Sequence, residues 1–233
     1  MIQSVIFDLD GTLLDRDKSL EAFVFHQHKR LRIHLGHIDQ PHYIARFLEL
    51  DQHGYVWKDK VYRQLIEEFG IKGITPEQLL ADYLAFFPHH CVPFPGLVSM
   101  LDKLKNEGLL VGMITNGYTG FQESNIRALD IEDYFDATLI SEKENLRKPD
   151  KRIFERALQR LGVTAESALF VGDHPVNDVE AAKQAGMIGV WKRNSQWYTA
   201  AADYVIDDLE EIHGLLEALQ READVAGIKK EDC

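Results

Sequence analysis

Val5-Ile6-Phe7-Asp8-Leu9-Asp10-Gly11-Thr12 is an apolar run that ends in two carboxylates, a glycine and a hydroxyl. Val5, Ile6 and Phe7 are β-branched or aromatic and predict a strand buried on both faces. Asp8 and Asp10 lie two apart, so they share one side of the strand if its geometry persists that far. Carboxylates held together repel one another unless a cation, a proton or hydrogen bonds compensate. Taken alone, the stretch also fits an ordinary strand running into an Asp-Gly turn. The rest of the chain decides between the two.

Downstream, apolar runs alternate with amphipathic segments. Strands are expected at Leu109 to Ile114, Ala137 to Ile140, Ala168 to Val171, Ile188 to Trp191 and Tyr204 to Ile206. Helices are expected at Val98 to Asn106, Phe121 to Leu129, Pro149 to Leu161, Asn177 to Ala185 and Leu209 to Leu219, with a charged, fraying tail from Arg221. Buried strands alternating with helices predict an α/β fold, a doubly wound parallel sheet with helices on both faces. Residues 15–92 break this rhythm. Asp17 to Leu35, Gln40 to Leu50, Lys58 to Phe69 and Pro76 to Phe87 carry apolar residues at spacings of three and four. Thr75 before Pro76 is a helix start with proline at the first helical position. An all-helical insertion is therefore expected at 15–92, within a core domain made of 1–14 and 93–233.

The totals bound the function. The chain has 233 residues, 45% hydrophobic and 27% charged. That is enough to bury roughly 70% of the unfolded surface without a disulfide or metal staple. A net charge of −12 argues against nucleic-acid partners and against an anionic membrane surface. Cys91 and Cys233 lie far apart and form no disulfide framework or zinc spacing. With no basic leader and no long apolar run, a cytoplasmic protein is expected.

Right-handed crossovers bring every strand-to-helix loop to one sheet edge, where ligands of such folds sit. Those loops carry Asp8 and Asp10, then Thr115 and Asn116, then Lys148, then Asp173 and Asp178. Asp8, Asp10, Asp173 and Asp178 are hard oxygen donors with no histidine or cysteine among them, a set suited to Mg²⁺ beside a substrate phosphate. Lys148 adds a positive point charge, and Thr115 with nearby N–H groups can hold phosphoryl oxygens. One carboxylate is left as nucleophile and another as acid and base.

This pattern resembles the haloacid dehalogenase-like (HAD) hydrolase superfamily. Four motifs occur in order: Asp-x-Asp-Gly-Thr at Asp8 to Thr12, the threonine of Ile114-Thr115-Asn116-Gly117, the lysine of Arg147-Lys148-Pro149-Asp150, and Gly-Asp-x₄-Asp at Gly172 to Asp178. The resemblance implies that the helical insertion is an α-helical cap and that Asp8 is the nucleophile forming an aspartyl-phosphate. It implies that Asp10 protonates the leaving oxygen and then deprotonates water. Mg²⁺ would be held by Asp8, the Asp10 carbonyl and Asp173, with Asp178 ligating or orienting. Thr115, Asn116 and Lys148 would bind the phosphoryl group. The dehalogenases that name the superfamily lack an aspartate two residues after the nucleophile, because a halide leaves without a proton. Asp10 therefore points to a phosphatase of small phosphorylated metabolites. The alternatives are a phosphomutase with the same motifs and a phosphorylation-dependent switch module without turnover.

Two other features are weighed. Eight of the ten histidines lie between His26 and His90, but neither His26 and His28 nor the adjacent His89 and His90 can easily share an ion. They are expected at polar surface or cap-seam positions. The segment Asp51 to Lys58 mixes aromatic and cationic residues. It offers Arg46, Tyr55, Trp57 or Lys58 as leaving-group contacts, against the plainer expectation of a turn whose aromatics pack between helices.

Overall fold

A computed structural model of the chain describes residues 1–231. In chain order it begins with β1 (Ser4–Phe7), continues through α1 (Arg16–Arg30), α2 (Arg32–Leu35), α3 (Gln40–Asp51), α4 (Lys58–Phe69) and α5 (Pro76–Phe86), then enters the α/β part. There α6 (Leu97–Asn106), β2 (Leu110–Thr115), α7 (Thr119–Ala128), β3 (Ala137–Ile140), α8 (Ser141–Glu144), α9 (Lys151–Leu161) and β4 (Ala168–Gly172) follow. A π-helical turn at Pro175–Glu180 leads into α10 (Ala181–Gln184), β5 (Ile188–Lys192), β6 (Tyr204–Ile206) and α11 (Glu211–Glu231). The chain divides into two compact units, Met1–Leu14 with Pro93–Cys233, and Asp15–Val92.

The first unit is built on a six-stranded sheet of order β3-β2-β1-β4-β5-β6, with every pairing parallel. The order follows from the chain's path. It leaves β1 toward β2 and β3, then returns to the other side of β1 for β4, β5 and β6. That reversal puts a switch point at the carboxyl end of β1, where the flanking loops diverge and leave a crevice. Register fixes which residues meet there. Phe7 pairs with both Met113 and Val171, so Asp8 emerges level with the ends of β2 and β4. Val5, Ile6 and Phe7 are fully buried, as the unbroken apolar run requires. On one side of the sheet Ile6, Ile114, Leu139 and Phe170 pack with Ile153, Phe154 and Leu158 of α9. Phe154 meets Phe170 edge-to-face at 4.9 Å, a favoured geometry for the ring quadrupoles.

Several boundaries differ from the periodicity. α9 starts at Lys151 because the Asp150 side chain caps it, accepting from the Arg152 N–H. The expected helix at Asn177 to Ala185 opens as a π-helical turn, and only Ala181–Gln184 is α-helical. α8 is a single turn too short to leave a periodic signal. α11 continues to Glu231, where a charged tail was expected to fray from Arg221. Cys233 lies outside the described residues.

The second unit contains α1 to α5. Its first helical segment is interrupted at Leu31, which splits α1 from α2. Thr75 and Gln78 form a reciprocal capping box at the start of α5. Phe23, Tyr43, Phe47, Tyr62 and Leu65 fill the interior. Among these apolar side chains lies a charged cluster. Asp51 and Lys58 are each 1% exposed, and the Asp51 carboxylate accepts from the Lys58 ammonium and from Arg16 Nη2 at 2.8 Å. Arg46 forks onto Glu68 at 2.6 and 2.7 Å. Lys58 and Arg46 thus carry structural ion pairs within their own unit. His28 is buried on the Ile38 carbonyl, and His26 stacks on His90 at 4.8 Å. No helix among the described residues is long and apolar enough to cross a membrane.

Burial works to raise the Asp51 carboxyl, but Arg16 and Lys58 overcome it and hold the group below its ordinary value. A depressed carboxylate stabilises the fold at neutral pH, and the contribution is lost as pH falls below the ordinary value of 3.8. Asp51→Asn leaves two cations facing a neutral amide and should cost about 3 kcal/mol at pH 7. Urea unfolding should show this cost at pH 7 and a smaller one near pH 3. An equal cost at both values would contradict it.

Candidate active site

β1 ends at Phe7, and the two carboxylates that follow take different partners. Asp8 continues the ladder for one step, its N–H donating to the Val171 carbonyl at 3.0 Å. Its carboxylate accepts from Lys148 Nζ at 2.5 Å. The same ammonium donates to Asp178 Oδ1 at 2.6 Å. Asp8, Lys148 and Asp178 are 6%, 3% and 1% exposed, so this chain of charges is sheltered from water. Asp173, just after β4, completes the group. One oxygen from each of Asp8, Asp173 and Asp178 lies within 4.8 Å of the others.

Local structure fixes each member. Lys148 sits in a cis Lys148–Pro149 link, and its backbone is clasped by Asn116. The Asn116 amide donates to the Lys148 carbonyl at 3.0 Å and accepts its N–H at 2.9 Å. The Asn116 side chain, expected on phosphoryl oxygens, is thus engaged at both ends with the lysine backbone. Asp173 is held by Asn194, whose amide donates to Oδ2 at 2.7 Å, and Trp191 Nε1 donates to the Asp173 carbonyl at 2.8 Å. Asp178 Oδ2 accepts from the His174 N–H at 3.0 Å. His174 itself closes the turn, Nδ1 accepting from the Val176 and Asn177 N–H groups, and its ring lies 4.6 Å from that of Trp197. Gly11 has φ +84°, and a Cβ there would lie 2.3 Å from Asp173 Oδ2. The glycine therefore serves both the turn and the close approach of the carboxylate.

Although its charge adds to the rise that burial causes at the Asp173 carboxyl, Asp10 takes a different side-chain partner from the three-carboxylate group. Its Oδ2 accepts from Gln122 Nε2 at 2.7 Å, and the same amide nitrogen donates to Thr115 Oγ1 at 2.6 Å. Thr115, the last residue of β2, is fully buried. Asp8, Thr115, Lys148, Asp173 and Asp178 thus gather at the switch point, and Asp10 joins them through Gln122. Gln122 and Asn194 were not selected from sequence. Each is a lone amide in a polar segment, with no spacing or charge pattern to single it out.

The electrostatics are unbalanced. Three carboxylates face one ammonium. Burial pushes the Asp8 carboxyl well above its ordinary value, Lys148 opposes this, and Asp178 and Asp173 add to the rise. Burial and Asp178 push Asp173 up to about 7. Lys148 is disfavoured as a cation by burial, but Asp178 and Asp8 override this and hold it above its ordinary value. The group has hard oxygen donors only, excess negative charge and two carboxyls that favour protons. It is suited to a hard divalent cation.

Comparison with known proteins agrees. Residues 5–192 match the family model described as haloacid dehalogenase-like hydrolase. The chain belongs to the haloacid dehalogenase-like hydrolases. It is 32% identical over 237 residues to the glyceraldehyde 3-phosphate phosphatase of Pyrococcus furiosus, covering 95% of this chain and 94% of that protein. The HAD phosphatase structure from Thermococcus onnurineus superposes with a TM-score of 0.65 at 29% identity, covering 92% of this chain and 98% of the other. A 2-haloacid dehalogenase from Pseudomonas syringae does so with a TM-score of 0.63, also at 29% identity, covering 94% and 100%. The structural likeness is thus shared by a phosphatase and a dehalogenase. The curated relatives, among them the phosphoserine phosphatase of Thermus thermophilus at 32% identity over 70% of this chain and 66% of that protein, are phosphatases, and they support a phosphoric monoester hydrolase.

A carboxyl raised in the folded state binds protons that a cation must displace. Added Mg²⁺ should therefore raise the melting temperature more at pH 8 than at pH 5.5, across the value of about 7 at Asp173. Gly11→Ala, by displacing the Asp173 carboxylate, should reduce the Mg²⁺ shift. Thermal melts with and without Mg²⁺ check both. A shift independent of pH would contradict the first, and an undiminished shift in Gly11→Ala the second.

Proposed function

We propose that this hydrolase cleaves small phosphate monoesters with Mg²⁺, through an aspartyl-phosphate on Asp8. The observation that carries the reading is the division of labour between two carboxylates on one loop. Asp8 lies against Lys148, while Asp10, two residues on, is held separately by an amide. The first has the setting of a nucleophile beside a counter-charge, and the second that of a proton carrier whose carboxyl is held by a neutral donor.

Asp8, Asp173 and Asp178, with the Asp10 carbonyl, would hold the cation. When bound, Mg²⁺ supplies positive charge that neutralises the carboxylates and the phosphoryl oxygens. The chain's own residues do the rest. An Asp8 carboxylate oxygen attacks phosphorus as the ester oxygen departs in line, and the departing oxygen takes the Asp10 proton. A water oxygen then attacks phosphorus and gives its proton to Asp10, and the bond to Asp8 breaks with its electron pair returning to the carboxylate. Lys148 offsets charge on Asp8 and on the transferred group. The Thr115 hydroxyl donates to a phosphoryl oxygen. Asn116 serves by fixing the Lys148 backbone. Most of the catalysis in such a transfer is alignment and electrostatic stabilisation.

Asp10 also separates this reading from dehalogenation, because an alkoxide leaving from a phosphate ester needs an acid and a halide does not. The unit Asp15–Val92 is read as the family's cap, the element that screens substrates. Sugar phosphates are the substrate class to assay first, given the triose phosphate in the name of the Pyrococcus furiosus relative, followed by nucleoside monophosphates and phosphoglycolate.

Phosphate release from these esters with Mg²⁺ tests the proposal. Release should vanish with EDTA and in Asp8→Asn, and fall by about 100-fold or more in Asp10→Asn. No release from a folded protein would remove the reading. Interconversion of sugar phosphates with little free phosphate would replace it with a mutase.

A further inference from the structure

Gln122 is polar, lies on α7 and is 1% exposed. A buried amide costs stability unless its hydrogen bonds are made. Here they are made in a particular pattern. Gln122 Oε1 accepts from Asn125 Nδ2 at 3.2 Å, which fixes the rotation of the amide. The two hydrogens on Nε2 then go to Asp10 Oδ2 at 2.7 Å and Thr115 Oγ1 at 2.6 Å. The backbone makes room for this. A Cβ on Gly117 would lie 2.7 Å from Gln122 Cγ, so the turn after Thr115 admits the side chain only because residue 117 is glycine.

Two consequences follow for chemistry. Asp10 Oδ2 accepts from an N–H donor, which favours Oδ1 as the oxygen that carries the Asp10 proton. Thr115 Oγ1 accepts from the amide, so its own hydrogen is free to donate elsewhere. One side chain thus selects the working oxygen of the proton carrier and the donor direction of a phosphoryl-binding hydroxyl. Asp10 lies in the loop after β1 and Thr115 at the end of β2, so the two groups come from segments far apart in the chain.

We infer that Gln122 is the positioning residue that holds Asp10 and Thr115 in the orientation the phosphoryl transfer requires. The inference rests on the phosphatase reading above and extends it to a residue outside the four motifs. Gln122 acts through Asp10 and Thr115.

The test is a double-mutant cycle with glycerol phosphate, whose alkoxide needs a proton to leave. Gln122→Met keeps the length of the side chain and removes both donors. Gln122→Glu keeps its shape and sets a second carboxylate against Asp10, giving an independent variant if methionine disturbs the fold. In the wild-type background each should lower kcat roughly 10- to 100-fold, a larger change than that in KM, because the loss falls mainly on proton transfer through Asp10. In an Asp10→Asn background Gln122→Met should lower kcat by a clearly smaller factor than in the wild type, because only its contact with Thr115 is then left to lose. Melting temperatures and circular dichroism identify folded variants. Folded Gln122 variants with wild-type kcat would overturn the inference and leave the phosphatase reading intact. So would a loss of the same size in both backgrounds, which marks a packing role. Absence of Asp8-dependent turnover in the wild type would overturn the reading, and the inference with it.

Discussion

Three carboxylates share one buried ammonium at the end of β1. Lys148 donates to Asp8 and Asp178 at once, and Asp173 completes a group whose negative charge exceeds its positive charge. A buried cluster of this kind persists only when the surrounding fold over-determines it. Here the Asn116 clasp fixes the lysine backbone, the Asn194 amide fixes Asp173, and the His174 N–H fixes Asp178. The parallel sheet supplies the frame, since the reversal of strand order at β1 is what brings the ends of β2 and β4 to either side of Asp8. The excess negative charge there is a cost that a bound cation would relieve.

The sheet was legible because its signal is simple. Val5 to Phe7, Ala168 to Val171 and Ile188 to Trp191 are short apolar runs bounded by turn residues, and each forms its strand. Helix limits were less so. Pro149 reads as a helix start, yet Asp150 provides the cap, and the segment after Asp173 widens into a π-helical turn where periodicity predicts a regular helix. The carboxylates and Lys148 were legible as candidates because charged residues at strand ends need a reason. Gln122 and Asn194 were not, because a neutral amide shows its importance only through partners 112 and 21 residues away in sequence. Two cations of the helical unit illustrate the reverse. Lys58 and Arg46 could be read as ligand contacts, and their ion pairs emerge only from packing within the helical unit.

The division between Asp8 and Asp10 carries the functional argument beyond family membership. Phosphatases and a dehalogenase share this fold at similar identity, so the backbone alone does not choose between them. A second carboxylate that is presented by a neutral amide is useful when a proton must be given and then taken back. It has no such use when a halide leaves.

The most direct measurement is acid quenching of the wild-type protein during turnover of a phosphate ester, followed by peptide mass analysis. The account predicts a peptide spanning Asp8 heavier by one phosphoryl group, with the label absent in Asp8→Asn and lost on mild alkaline treatment. Rapid phosphate release with no phosphorylated Asp8 peptide at any quench time, in a protein whose other acyl-phosphate controls survive the same work-up, would contradict it.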